Sequence, residues 1–339
     1  MKNTVLPQIN KYSYNHQDLF IDENVSLSTC VSLDNKTHVN WIDIITNGHK
    51  EIVHEAGQLF SIDPLIIEDI INTNQRAKLE EYETMHYIVL KMFSIKEKKI
   101  VHQQVSFILH NNFILSFRES SFGVFENVVS FLKKDNNKIK QKGEDFLLYT
   151  LLDVIIDEYY VVLEDINDQV DYWDEEIFKN PSDNHIYELQ KLKKSVLEAR
   201  KYMLPVRELI NSLTKNEIAY FDIKNKKYIR DLNDHMIRNV EQLDFDRDQI
   251  NSLIDAFYSL QSYKMNRVMK ALTGVSFVLL PITFITSLFG MNYEIIPFAK
   301  RPNGFLEMVA FLGLVTILLV AIALRRKWLS GSDFTKRLK

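Results

Sequence analysis

Cysteine is almost absent: among 339 residues only Cys30 carries a thiol. A single thiol excludes a disulfide framework and any zinc site built on several thiolates. Proline and glycine are scarce, at 7 and 9 residues, so little interrupts long helices. There is no surplus of positive charge. The 41 Lys and Arg face 45 Asp and Glu, a net charge of −4, which argues against a nucleic-acid partner held by bulk charge. The short signatures of common enzymes are missing as well: no GxSxG elbow, no HExxH, no GxxxxGK[ST] phosphate loop. The chain therefore reads as a non-enzyme with no organic cofactor.

Charge is also missing in one long place, from Ala271 to Tyr293. The apolar run there is long enough for a hydrocarbon core of about 30 Å at ~1.5 Å per residue. A second uncharged run lies between Glu307 and Arg325 and reaches span length with Phe305 and Leu306. Two transmembrane helices fit this pattern; two buried core helices are the other reading. Lys264, Arg267 and Lys270 precede the first run, and Arg325, Arg326, Lys327, Lys336, Arg337 and Lys339 follow the second. The connection has only Lys300 and Arg301, against Glu294. Basic residues favour the cytoplasmic side, so both termini are expected inside a cell (inner or plasma) membrane, with the loop outside. Met1–Val39 has no sustained apolar core of the signal-peptide kind.

The rest is mixed, then helical. Val39–Ile45, His86–Phe93, Val101–Leu109 and Phe113–Phe117 are strand-like, and Ile52–Phe60 and Pro64–Asn72 read as short helices with Asp63 as a cap. Glu144–Glu176 holds twelve acids and no Lys or Arg at helical apolar spacing. His185–Leu213 is basic, so a charge-complementary antiparallel pair is expected. From Asp231 to Thr273 there is no Gly or Pro, and the helical pattern runs on into the first span. Taken to Asn292 this helix is about 93 Å long at ~1.5 Å per residue. Such a helix needs partners for its apolar face, which points to self-association.

Within the first span Asn266, Met269, Thr273, Ser276, Leu280, Thr283 and Ser287 step by three or four and share one uncharged, partly polar face. Two readings stay open: helix–helix adhesion through Ser and Thr, or the wall of a central pore. Pro281 either kinks the helix or frees a carbonyl toward the lumen. A wall of hydroxyl, amide and carbonyl oxygens suits a cation that keeps its water, as Mg2+ does.

Gly290-Met291-Asn292 at the end of the first of two C-terminal spans resembles the GMN signature of the CorA family of divalent-cation channels. Pro64–Asp69 with Asn72–Lys78 resembles that family's PLxxED…NxxQRPK stretch, and Tyr228–His235 its YxRDxxDH start of the long helix. The resemblance implies an α+β membrane protein and a funnel-shaped homopentamer. In it an N-terminal α/β/α domain, acidic "willow" helices and a long stalk helix precede two transmembrane helices. The expected division is an α/β domain at 1–140, a helical region at 141–230 and the stalk at 231–292, with its span at about 271–290. A loop at 293–304, a second span at 305–325 and a basic tail at 326–339 complete it.

The resemblance further implies that Gly290, Met291 and Asn292 form a filter. It places Leu280 and Thr283 in the upper pore and Asn266, Met269 and Leu272 in the narrow half. It names Asp69 and Asp231, with Glu68, Asp153 and Asp157 nearby, as regulatory ligands for cytoplasmic Mg2+ at protomer interfaces; plain surface acids are the alternative for each. Asp153 and Asp157 are four apart and share a helix face. The usual loop glutamate is replaced by Phe298, which leaves Glu294 as the loop's one acid. Ala77 stands for the usual proline and Asn74 for the usual histidine.

Three functions follow. The first is Mg2+ uptake, with Co2+ or Ni2+ as further ions, driven by membrane potential and gated by Mg2+ inside. The second is proton-coupled Zn2+ transport within the same superfamily. The third is a helical scaffold or sensor without transport. The partners implied are other copies of the chain, lipid and divalent cations.

Overall fold

The computed structural model describes residues 6–31, 37–96, 99–110, 113–121, 123–134, 138–179, 182–215, 221–222, 224–291, 301–326 and 328. They divide into two compact units, Met1–Leu253 and Ile254–Lys339.

The first unit is built on strands β1 (Gln8–Tyr14), β2 (Leu19–Asp22), β3 (Val39–Ile45), β4 (Lys78–Glu81), β5 (Met85–Lys96), β6 (Lys99–His110) and β7 (Phe113–Arg118). They form one sheet in the order β2-β1-β3-β7-β6-β5-β4. Only β3 and β7 run parallel; the other neighbours are antiparallel. Alternate residues face opposite layers. Ile42, Ile44, Leu115 and Phe117 join a core with helices α1 (Leu27–Cys30), α2 (Glu51–Leu59) and α3 (Pro64–Ile71). On the other face Trp41 meets Phe125 of α4 (Val124–Leu132) edge-on, at 5.7 Å between centroids. Toward the end of β5, Phe93 meets Tyr159 of α5 (Glu144–Lys179) at 5.2 Å. The unit is thus an α/β/α sandwich with a buried apolar layer on each side. Each buried Leu, Ile or Phe contributes ~1.5–3 kcal/mol.

Asp63 starts α3: its carboxylate accepts the Leu65 N–H at 2.8 Å, and Pro64 occupies the first turn. A buried ion pair, Asp43 with Arg118, sits inside the sandwich. Asp43, 1% exposed, accepts from Arg118 and from the Ser116 hydroxyl at 2.7 Å, and that hydroxyl accepts the Trp41 indole N–H at 2.9 Å.

Helices α5, α6 (Asp183–Thr214) and α7 (Lys226–Phe289) follow. The long helix begins at Lys226, five residues before the sequence placed it. The expected charge pairing of α5 with α6 is not realised. Among the described residues the cross-element ion pairs of α6 reach Asp244 on α7 from Arg200, His102 on β6 from Glu198, and Arg76 from Glu208, and none reaches α5.

The second unit holds the rest of α7 and α8 (Gly304–Arg325). Both are long and apolar enough to cross a membrane, and only 6% and 0% of their most apolar stretches are buried. That excludes the buried-core reading of the two runs, since a core helix hides its apolar residues.

Candidate metal cluster and transport path

The heads of α5 and α7 are clamped together. Lys142 Nζ lies 4.0 Å from the ring centroids of both Phe146 and Tyr228, and it donates to Asn225 Oδ1 at 3.0 Å. Asp145 Oδ2 accepts the Asn225 amide and the Asp222 N–H, each at 2.9 Å. Tyr149 stacks near Tyr228 at 5.2 Å. One turn beyond this clamp the helices present Asp153 and Asp157 from α5 and Asp231 and His235 from α7.

Asp153, Asp157 and His235 bring ligand atoms within 4.8 Å of one another. Asp231 joins through His235, at 3.8 Å. Burial, followed by the charge of Asp157, pushes the Asp153 carboxyl up to about 6, while Tyr149 and His235 pull it down. Asp157 is raised too, by burial. Carboxylates crowded in this way favour a proton or a cation. Oxygen donors with one imidazole can hold a divalent ion.

His235 is the member that the sequence reading did not name as a ligand. Its signal was available: it lies four residues after Asp231, on the same helix face. Asp69 and Glu68 stand apart from this cluster in their contacts. Asp69 pairs with Lys78 at 2.6 Å and accepts from Gln75 at 2.7 Å, and Glu68 is exposed on α3. The cluster within one chain is therefore built on Asp153, Asp157, Asp231 and His235.

Along the apolar part of α7 the less exposed residues, apart from Ser276, are Gly274, Phe277, Val278, Pro281, Ile282, Ile285 and Phe289. Those of α8 recur as Met308, Leu312, Val315, Leu319 and Ala323, and Phe277 packs edge-on against Trp328 at 5.3 Å. The second span thus covers one face of the first. Asn266, Met269, Leu272, Thr273, Leu280, Thr283 and Ser287 are exposed and Ser276 is half-buried. At ~100° per residue this stripe points about 160° away from the covered face. Thr283 donates its hydroxyl proton to the Leu279 carbonyl at 2.9 Å and keeps its lone pairs free. Pro281 sits on the covered face, so the carbonyl it frees, that of Phe277, does not point along the stripe.

The Gly290 N–H donates to the Thr286 and Ser287 carbonyls, both at 3.1 Å, and Met291 is exposed at the helix end. A Cβ on Gly290 would stand 3.4 Å from the Ser287 oxygen, at the near edge of ordinary contact. Asn292 and Glu294 lie outside the described residues, as does Phe298.

The family model described as "CorA-like Mg2+ transporter protein" matches residues 36–326. The chain belongs to the CorA family. CorA members are divalent-cation transporters of the membrane, not enzymes. The cobalt/magnesium transport protein CorA of Thermotoga maritima is 34% identical over 291 residues, 85% of this chain and 83% of its own. The zinc transport protein ZntB of Pectobacterium atrosepticum is 23% identical over 66% of this chain and 68% of its own. Among solved structures, the CorA magnesium transporter of Methanocaldococcus jannaschii has the same fold, with a TM-score of 0.82 at 19% identity over 94% of this chain and 97% of that one.

Proposed function

We propose that the chain is a Mg2+ uptake channel, also open to Co2+ and Ni2+, assembled as a homopentamer in the cell membrane and gated by Mg2+ from the cytoplasm. The observation that carries this reading is the stripe. It is uncharged and oxygen-bearing, it faces away from the second span, and it ends at Gly290-Met291. A ring of copies turns that face onto water. Asn292 and the Gly290 backbone then meet the hydrated ion, Leu280, Thr283 and Ser287 line the upper passage, and Asn266, Met269 and Leu272 the narrow part. The likeness to a cobalt/magnesium transport protein supports the choice of ions.

In this reading residues 1–270 and 326–339 are cytoplasmic and 293–304 form the outer loop. A divalent ion crossing 100 mV gains about 4.6 kcal/mol, twice the single-charge value, so uptake needs no ATP. Gating follows from the acids. The carboxylates of Asp153, Asp157 and Asp231 in one chain, with Glu68 and Asp69 from a neighbour, repel one another until Mg2+ joins them beside His235. Bound Mg2+ holds the ring closed, and its loss loosens the protomers.

The test is Mg2+ flux into proteoliposomes by Asn292→Ala, with assembly checked by size-exclusion light scattering. Flux should vanish while the oligomer persists; undiminished flux sinks the filter assignment. The zinc-transporter relatives favour a second reading, proton-coupled Zn2+ transport. Zn2+ flux that follows an imposed pH gradient, in liposomes where Mg2+ flux does not, decides for it.

A further inference from the structure

The stretch Asn72–Lys78 follows α3, and two of its side chains fold back onto Asp69. Gln75 Nε2 donates to Asp69 Oδ1 at 2.7 Å, and Lys78 Nζ stands 2.6 Å from Oδ2. Both carboxylate oxygens therefore have a partner within the chain. The backbone beneath them is held separately. Gln104 of β6, 3% exposed, donates its amide to the Asp69 carbonyl at 2.8 Å, and its own side-chain oxygen accepts the Gln75 N–H at 3.3 Å. Gln75 and Gln104 thus position Asp69, and Lys78 supplies a charge to it.

Lys78 has a second carboxylate in reach. It opens β4, and Glu80, two residues on, projects from the same side of the strand. Glu80 Oε1 lies 2.8 Å from Nζ, and Glu80 Oε2 accepts the Tyr82 hydroxyl proton at 3.1 Å. Two carboxylates share one ammonium, so the trio keeps a net negative charge. The Lys78 side chain is 33% exposed and that of Asp69 17%, which leaves one side of the pair open to an ion from solvent. An ammonium on a flexible four-carbon stem has three N–H donors and moves between neighbouring acceptors with little rearrangement.

We propose that Lys78 is a built-in counter-ion of Asp69: it occupies the carboxylate when no divalent ion is present and withdraws to Glu80 when one binds. The proposal rests on the reading of Asp69 as a regulatory ligand. Mg2+ and an ammonium cannot crowd onto one carboxylate oxygen, because like charges at contact repel. The divalent ion brings twice the charge and displaces the ammonium, but it has to compete with a cation that is tethered and never diluted away. Lys78 therefore raises the Mg2+ concentration at which the site fills, and Glu80 eases the exchange by giving the displaced ammonium a partner. The directions follow. Without Lys78 the site fills at lower Mg2+; without Glu80 the ammonium stays on Asp69 and the site fills at higher Mg2+. A Lys78 that merely braced Asp69 would act the other way, since its loss would leave the ligand misplaced.

The experiment uses the full chain in nanodiscs and reads the Mg2+ concentration that half-protects it from subtilisin, with helix content checked by circular dichroism. Lys78→Met should lower that midpoint at least threefold, Lys78→Arg should leave it within about twofold, and Glu80→Gln should raise it. In the Lys78→Met background Glu80→Gln should no longer raise it, because no ammonium is left to place. A Glu80→Gln effect that survives there is the plain loss of an acid and overturns the exchange. Asp69→Asn tests the reading beneath: it should raise the midpoint and make Lys78→Met silent. An unchanged midpoint in Asp69→Asn removes Asp69 from the regulatory ligands, and the counter-ion with it. A raised midpoint in Asp69→Asn beside an unchanged or raised one in Lys78→Met overturns the counter-ion alone and leaves Asp69 a ligand.

Discussion

Asp153 carries the clearest consequence at the scale of single residues. Its folded carboxyl titrates at about 6, above the ordinary value of 3.8. The folded chain therefore holds a proton that the unfolded chain releases. The stability this gives is complete below about pH 4 and is lost as pH rises through about 6. Mg2+ can take the proton's place above that range. Melting in EDTA should thus fall between pH 4 and 6, and Mg2+ should restore it at pH 7 but not at pH 4.5. Asp153→Asn should flatten the slope and abolish the rescue; a slope left intact would move the titration to another group. Asp43 makes a different case, since it is buried with Arg118 as its counter-charge. Asp43→Ala leaves that guanidinium uncompensated and should cost about 3–5 kcal/mol in urea unfolding of the soluble unit's signal. Asp43→Leu combined with Arg118→Met should recover most of it, because a dry apolar pair carries no desolvation cost.

At the scale of elements, the register of α5 against α7 is set by the Lys142 clamp, and the cluster one turn on inherits that register. Lys142→Met keeps the bulk between Phe146 and Tyr228 but removes the charge that both rings and Asn225 attract. The Mg2+ concentration that half-protects the chain from trypsin should rise several-fold, with helix content by circular dichroism unchanged. An unaltered midpoint would mean that the clamp does not position the cluster. This scale also shows what the sequence made legible. Strands β3, β5, β6 and β7 were readable because Val39–Ile45 and its counterparts are dense in Ile, Val and Phe. β1 (QINKYSY) and β4 (KLEE) were not, because polar residues outnumber apolar ones in both and pairing with β3 and β5 makes them strands. The acids Asp153, Asp157 and Asp231 stood out by spacing and resemblance. His235 had the spacing, four residues after Asp231, but the contact that joins it to Asp153 and Asp157 crosses from one helix to another.

For the whole molecule, the question is what covers the stripe. A single chain leaves it bare: Leu280 is 68% exposed, and Thr283 and Ser287 are exposed beside it. The second span lies against the other side. Facing acyl chains, the hydroxyls of Thr273, Ser276, Thr283 and Ser287 would lose the lone-pair partners they find in water, at a cost that lipid cannot return. Facing copies of itself around water, the same row is satisfied at every level. The two arrangements differ in which residues of neighbouring chains approach. In a Cys30→Ala background, Ser287→Cys and Thr283→Cys should be joined by a short bismaleimide into a ladder of linked chains ending at five. Ile285→Cys, on the covered face, should give almost none. Equal linkage from both faces would describe chains that meet at random, and no linkage from Ser287→Cys would leave the stripe toward lipid and remove the pore. The ladder's last rung reads the copy number independently of any flux, so the ring can be tested even if the ion carried is not Mg2+.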